Sequence, residues 1–568
     1  MIRLATVFSG IGAIEHALAR MNIPYRIVFA CDSGDVDIFT KKVDVSIGAI
    51  DRELKNLVFL IQHIVVKNED DKIYKDSLDN MLSAALKEYN NLLKELDGID
   101  SAMLSGPACS LLRFILSQDS VKENRKNEYK RFLDFLTNEF SDKDKIIFSF
   151  KYIIKVMNDF KKDNLLDTLS DDISDYKSVD NIDWRLVKEE LNNAYSILEN
   201  LNGKRLIKKT IDLSERVGML HEKISSFRFL KEISDIDDFK EKKRHVDMLY
   251  KNKEKLNKVK QSYIANYDID EQDFHWNVCF LDGNQYKNQV DLFVGGSPCQ
   301  SFSCAGKRRG LEDTRGTLFY EYARLVKEIK PKVFIYENVK AVLSNDEGRT
   351  WTKMRDTFDS LGYNVYYKIG DRPSVLNAKD YGIPQNRERL FVVGFRNDIK
   401  LSAPFEFPNP IPLNKKMQDF LLDNVSGLYY LPEKHVFFVR DNKDTERAMQ
   451  ELEKYFLSEK ILRYVLSSGT KGFCSKPETD LEVAKPLLTT MHKMHRAGID
   501  NYVTTKGRLR RLTPRECLRL MGFCDSFKIV VNDTAVYQQA GNSIVVDVLI
   551  HIMCSVLKSI SKNIYADS

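Results

Sequence analysis

An α/β fold whose sheet is interrupted by a long helical insertion is the class this 568-residue sequence predicts, and three observations predict it. From Arg3 to about Phe39 the chain reads "LATVF", "SGIG", "AIEHALARM" and "RIVFACD", the pattern of a strand, a glycine turn, a helix and a second strand. From about Thr40 to Asp270 the texture changes to long, charged, helix-periodic segments with few glycines or prolines. From Phe274 the apolar runs "VDLFVGG", "KVFIYEN" and "RLFVVGF" return, short enough for buried strands and separated by amphipathic helices.

The first unit carries its own candidate site. Glycines after a strand and before a helix let the backbone approach a ligand and leave the helix N-terminus facing it. Asp32 ends the next strand, where a carboxylate can accept from ribose hydroxyls. Taken alone, "FSGIG" at Phe8–Gly12 reads equally as a structural turn or a cofactor site.

The insertion explains itself by periodicity. In "DSLDNMLSAALKEYNNLLKELDG" the residues Leu78, Met81, Leu82, Ala85, Leu86, Tyr89, Leu92, Leu93 and Leu96 form one apolar stripe, stopped by Gly98. In "DWRLVKEELNNAYSILENLNG" the stripe is Trp184, Val187, Leu191, Ala194, Leu198 and Leu201, with Gly203 as the stop. Such stripes predict a separate helical domain that leaves the core sheet unbroken and is dispensable for cofactor binding. Tyr250–Tyr267 is grouped with it and is basic on one side, a solvated face or a contact for DNA phosphates.

Bulk properties remove whole classes. A net charge of +5 over 87 basic and 82 acidic residues permits a nucleic-acid partner without demanding one. Nine cysteines with no CxxC pair argue against a disulfide framework and a structural zinc site, and no metal is expected. The opening residues lack the charged-then-apolar pattern of a leader, and membrane insertion is not expected.

The stretch "GGSPCQSFSC" at 295–304 puts Cys299 just past a buried strand, and "PKVFIYENV" puts Glu337 and Asn338 at the end of another. A thiol and a carboxyl would then face one crevice. With these in place the sequence resembles the DNA (cytosine-5)-methyltransferases. "FSGIG" resembles their opening motif, "SPCQSFS" their nucleophile motif, "ENV" their carboxylate motif and "QNRER" at Gln385–Arg389 their arginine motif. "RRLTPRECLRLMGF" at Arg510–Phe523 and "AGNSIVVDVL" at Ala540–Leu549 resemble their late and closing motifs, in family order. The resemblance covers about the first 40 residues and everything after about Phe274, and leaves the insertion uncovered.

That resemblance implies a Rossmann-like S-adenosylmethionine-dependent methyltransferase sheet with a smaller target-recognition domain. The domain plan is a catalytic part at 1–40, the helical insertion at 41–270, catalytic again at 271–395, target recognition at 396–535 and a catalytic return at 536–568. Carbon 5 of cytosine is a poor nucleophile, so the ring is activated by adding a thiolate at carbon 6. The resemblance gives that role to Cys299, proton donation at ring nitrogen 3 to Glu337, contact with the exocyclic oxygen to Arg389, and the ordering of the site and nearby loop to Arg387 and Gln385. S-adenosylmethionine is the implied cofactor. Phe8 would pack on its adenine, Gly10, Ile11 and Gly12 would line its amino-acid portion and Asp32 would take the ribose; Asp282 in "CFLDGN" would accept from the adenine amino group, with Pro298, Asn542 and Ser543 completing the site. Ala13 departs from the family's usual further glycine.

A base cannot be attacked inside a duplex, so the resemblance implies a flipped cytosine and a double-stranded DNA partner. Gln300, Ser303 and Lys307 fall in the stretch resembling the family's mobile loop, and Gln385 is assigned with them to DNA contact. Recognition is expected in about Arg396–Gly507, where Thr489, Thr490, His492 and Arg496 offer donors for base edges and phosphates. The same resemblance implies a modification enzyme of a restriction-modification system, or an orphan or phage enzyme, acting as a monomer on DNA in a bacterial or phage-infected cytoplasm, nucleoid-associated. A cognate restriction endonuclease acting separately is the protein partner it allows. Methylation of transfer RNA and catalytically silent DNA binding are the two rival readings; a recognition region of about 110 residues favours DNA by analogy, and intact Cys299, Glu337 and Arg389 speak against a silent member.

Overall fold

The computed structural model describes residues 1–36, 38–101, 104, 109, 112–113, 116, 123–137, 141–162, 196–297, 317–422, 429–430, 436–438, 452–470 and 473–560. The chain divides into two compact units, one formed by Met1–Val36 with Ile236–Ser568 and the other by Asp37–Asp235.

The larger unit is built on an eight-stranded sheet. Its strands are β1 (Ile2–Val7), β2 (Tyr25–Cys31), β3 (Phe274–His275), β4 (Leu292–Gly295), β5 (Val333–Val339), β6 (Tyr363–Tyr366), β7 (Val375–Asn377) and β8 (Glu388–Arg396). In space the order is β3-β2-β1-β4-β5-β8-β6, and β7 also pairs with β8. The first five in that order run parallel; β8 is antiparallel to β5, β6 and β7. Parallel strands covered on both faces must be apolar on both, and Leu4, Ala5, Val7, Phe293, Val294, Phe334 and Ile335 are all buried.

Alternation along the strands sends their side chains to two cores. Leu4, Leu292, Val294 and Ile335 pack with Ile14, Ala17 and Leu18 of the first helix (Ala13–Arg20) and with Leu549 and Ile552 of the last (Val546–Ser559). Ala5, Val7, Phe293 and Phe334 face Phe319, Tyr322 and Val326 of the helix Thr317–Ile329 and Phe358 of Arg349–Asp359. The first and last helices are also tied by a buried, two-pronged ion pair from Arg20 to Asp547, at 2.9 and 3.0 Å. The apolar stretch Asp533–Ser559 is long enough by composition to cross a membrane. It is instead two helices, of 10 and 14 residues, that break at Ser543 and bury most of their apolar side chains in this unit.

The chain leaves β1 for β2 on one side and returns to β4 on the other, so strand order reverses between β1 and β4. The loops after β1 and β4 therefore open at one end of the sheet, around the crevice where open α/β sheets bind ligands.

In the smaller unit the helices Ile47–Gln62, Glu69–Asp97, Asp142–Lys162 and Gly203–Ser234 share one core of Ile50, Leu54, Leu57, Leu82, Ala85, Leu92, Phe150 and Val217. The first predicted stripe lies in that core at Leu78, Leu82, Ala85, Tyr89, Leu92 and Leu96, and Gly98 does end its helix; Met81 is exposed. Of the second stripe, Trp184, Val187, Leu191 and Ala194 lie outside the described residues, while Leu198 is buried. Gly203 starts a helix rather than stopping one. A Cβ there would sit 2.6 Å from the Phe150 ring, so glycine is selected by packing.

The predicted insertion ran to residue 270, but residues 236–270 are part of the larger unit. Tyr250 stacks flat on Trp276, with ring centres 4.5 Å apart, and Tyr263 is buried beside Phe274. Charged helical texture reads alike whichever core the apolar side meets. Residues 396–535 also count with the larger unit, since Phe405, Phe420, Leu487 and Val503 join the core of the first helix.

Candidate active site

The cofactor-type half of the crevice is made by backbone. Phe8, Gly10 and Gly12 all have positive φ (52°, 54° and 77°), which coils the turn after β1 and caps the first helix with Gly12. A Cβ on Gly10 would meet nothing nearer than 4.0 Å, so the turn presents an open cradle at that point. The Asp32 carboxylate closes it, accepting from the Gly10 amide at 2.9 Å and the Gly34 amide at 2.8 Å. Burial pushes this carboxyl up to about 6, and the two amides pull against that shift. Each oxygen keeps a lone pair for a hydroxyl, which is the chemistry a ribose needs. Phe8 is half-buried on the same turn, and Ile11 buries its side chain in the core.

Asp282 is engaged elsewhere. Its Oδ1 caps the short turn Gly283–Tyr286 and its Oδ2 accepts from Lys242 at 2.9 Å. Burial raises this carboxyl, but the bonds from Lys242 and Asn284 outweigh burial and hold it below its usual range. The residues next to Asp32 are those ending β3: the Asp32 amide donates to the His275 carbonyl at 3.1 Å, and Trp276 and Asn277 follow. Trp276, Asn277 and Asp282 line one shallow cavity with Phe239 and Lys242. At the far side, Asn542 is exposed at the end of the helix Asp533–Asn542 and Ser543 is buried just after it.

The second half of the crevice lies at the ends of β4 and β5. A Cβ on Gly296 would stand 2.8 Å from both the carbonyl oxygen and Oε2 of Glu337, so the chain leaving β4 rests directly on that glutamate. Ser297 shares a 2.6 Å hydrogen bond with the Tyr336 hydroxyl, which also accepts from Asn338 at 2.7 Å. Glu337 pairs with the Arg389 guanidinium at 3.1 Å, both largely buried. Burial raises the Glu337 carboxyl despite the opposing charges of Arg389 and Arg387. Pro298, Cys299, Gln300, Ser303 and Lys307 lie outside the described residues.

Arg387 donates to the carbonyls of Leu487, Gly541 and Ser543, at 2.8 to 3.0 Å, and so binds β8, the 484–490 segment and the closing motif into one frame. Gln385, assigned to DNA from the sequence, is wholly buried. Its amide donates to Leu520 O and its oxygen accepts from Leu487 N, so it has nothing left for DNA in this arrangement. Thr489, Thr490, His492 and Arg496 are half-buried. The backbone of Leu488 and Thr489 lies so close to Gly541 that a Cβ there would be 2.4 Å from Thr489 N. His492 bonds to Thr489 O, and Arg496 donates to Ser467 while stacking on Tyr464.

Sequence reasoning missed the group behind the cradle: Asn257, Tyr263 and Tyr267, around the helix Lys258–Asn266. The available signal was the tyrosine pair in "SYIANY", two aromatics on an otherwise basic segment ahead of β3.

The family model for C-5 cytosine-specific DNA methylases matches residues 239–558. Type II methyltransferase M.HhaI of Haemophilus parahaemolyticus is 37% identical over 273 residues, covering 48% of this chain and 77% of its own. Type II methyltransferase M.SsoII of Shigella sonnei is 34% identical over 300 residues, covering 51% of this chain and 69% of its own, and Type II methyltransferase M.HpaII of Haemophilus parainfluenzae is 34% identical over 261 residues, covering 45% and 69%. With this match covering more than half of the chain and taking in the ends of β4 and β5, the chain belongs to the C-5 cytosine-specific DNA methylase family, and it is a sequence-specific DNA cytosine-5 methyltransferase that uses S-adenosylmethionine.

Proposed function

We propose that Cys299 is the nucleophile of this methyl transfer, with Glu337 as the acid and Arg389 as the group that holds both Glu337 and the base. The observation that carries the reading is the contact of Gly296 with Glu337: three residues before Cys299, the chain already rests on the carboxyl that pairs with Arg389. When bound, S-adenosylmethionine supplies an electrophilic methyl on a sulfonium. The chain supplies the rest. The Cys299 thiolate adds to carbon 6 of the flipped cytosine, and the negative charge that builds on the ring is met by a proton from Glu337 at nitrogen 3. A raised Glu337 carboxyl suits that donation. Arg389 answers the developing charge at the exocyclic oxygen, and after methylation the loss of the carbon 5 proton lets the Cys299 sulfur leave.

The cradle of Phe8, Gly10 and Gly12 with Asp32 fits the cofactor's amino-acid and ribose portions, and the open space over Gly10 supports that fit. Trp276 and Asn277, rather than the paired Asp282, are the better seat for adenine. Base reading is assigned to about 396–507, with Thr489, Thr490, His492 and Arg496 as donors near Asn542 and Ser543. A separate cognate endonuclease, monomeric action on DNA and a bacterial cytoplasmic setting belong to the same reading, supported by the type II names of the relatives.

Trapping tests it. Duplex DNA carrying 5-fluorocytosine at the target should form a covalent complex with the protein, and Cys299→Ser should abolish both the complex and methyl transfer while keeping S-adenosylhomocysteine binding. Methyl transfer at the normal rate by the serine variant would refute the assignment.

A further inference from the structure

One short helix and its two flanking residues touch both the glycine turn and the Asp32 loop of the cofactor crevice. Lys258–Asn266 is capped at its start by Asn257, whose Oδ1 accepts from the Lys260 amide at 2.8 Å. The same side chain's Nδ2 donates to the Asp32 carbonyl at 2.9 Å, and its Oδ1 leaves no room for a Cβ on Gly34. At the other end, the Tyr267 hydroxyl is shared between the carbonyls of Ile11, at 3.0 Å, and Gly12, at 2.7 Å. The Tyr267 ring lies so close that a Cβ on Gly12 would overlap it at 2.2 Å. Between them, Tyr263 bonds to the buried Glu15 of the first helix, and Ser262 and the Lys258 carbonyl bond to Gln539, one turn before Asn542 and Ser543.

We propose that Asn257 and Tyr267 are positioning residues of the cofactor site, setting the distance between the glycine turn and the Asp32 loop before the cofactor arrives. The proposal rests on the reading of Phe8–Gly12 and Asp32 as that site. The two loops follow different strands and are also joined by the Asp32 carboxylate on the Gly10 amide and by Ser9, whose amide and hydroxyl bond to the Cys31 backbone; Asn257 and Tyr267 brace them from behind. The Tyr267 hydroxyl holds the Ile11 and Gly12 carbonyls while the Gly12 amide donates to Ser9 O at 3.0 Å, so the turn that carries Gly10 is tied down at its helix end. Preorganisation of this kind lowers the ordering cost of binding, so its loss appears in affinity rather than in the chemical step.

The test compares three full-length variants. Tyr267→Phe removes the shared hydroxyl and keeps the ring against Gly12. Asn257→Ser keeps a capping oxygen and loses the reach to Asp32. Asp32→Ala tests the site itself. S-adenosylhomocysteine Kd is read by calorimetry, kcat and cofactor KM by methyl transfer to duplex DNA, and the unfolding midpoint by thermal melt. Tyr267→Phe and Asn257→Ser are each expected to raise Kd and KM about three- to tenfold, the scale of one or two uncharged hydrogen bonds, with kcat and melting unchanged. Asp32→Ala should weaken binding further. If Asp32→Ala weakens binding and the other two bind normally, the positioning role is overturned alone. If Asp32→Ala binds normally, the site reading falls and takes the proposal with it. A joint fall in kcat, affinity and melting in both variants overturns the proposal in favour of a general structural role.

Discussion

Adding one methyl group at residue 296 perturbs the catalytic half of the crevice at a single contact. The Cβ of Gly296→Ala would stand 2.8 Å from the Glu337 carbonyl and from Oε2, about 0.6 Å inside ordinary van der Waals contact. The carbonyl cannot give way easily, because Glu337 sits in register opposite Phe391 between β5 and β8. Either the chain toward Cys299 lifts or the carboxyl swings off Arg389. A misplacement approaching 1 Å at reacting groups costs on the order of 100-fold, so kcat should fall about 10- to 100-fold. The glycine turn and Asp32 are untouched, so cofactor Kd should stay at its wild-type value. Single-turnover methyl transfer at saturating DNA and cofactor measures the first, and calorimetry with S-adenosylhomocysteine the second. A variant that melts normally and transfers methyl at the wild-type rate would refute the contact as the element that aligns the two catalytic groups.

Three further outcomes follow from particular contacts. Arg510 and Glu516 form a fully buried ion pair at 2.8 Å, so Arg510→Met should cost about 3 kcal/mol in urea unfolding by leaving a carboxylate unpaired, and a loss below about 1 kcal/mol would contradict this. Asp32 titrates near 6, above its ordinary 3.8. Its acceptor form is lost as pH falls through that value, so S-adenosylhomocysteine affinity should drop below about pH 6 and Asp32→Asn should remove that dependence; for folding the sign is reversed, since burial disfavours the charged form that predominates above pH 6. Replacing residues 37–235 with a glycine-serine linker should preserve cofactor binding and the target sequence, whereas extending the cut to 268 removes Asn257, Tyr263 and Tyr267 and should abolish binding. Equal binding by both deletions would show that the helix Lys258–Asn266 contributes nothing to the crevice.

The amino-acid sequence by itself determined the pieces whose signal is local. Apolar runs of strand length followed by glycine or by "PCQ" and "ENV" locate β1, β4 and β5 and the residues at their ends, because strand period, turn chemistry and catalytic residue type are all written within a few positions. The same locality explains the helical stripes of 69–97, whose spacing depends on one helix alone. Only the tertiary structure decided which core a helix joins. Residues 239–266 look like the rest of the insertion in charge and period, yet Tyr250 and Tyr263 pack on Trp276 and Phe274. It also decided which polar groups were already spent. Gln385 belongs to an arginine-rich motif that reads as DNA-facing, but partners 102 and 135 residues away consume its amide. Asp282 resembles a ligand acid until Lys242, 40 residues earlier, is brought beside it. A hydrogen bond or ion pair across such separations leaves no periodic trace in the chain, so it becomes visible only when the strands have been set in order.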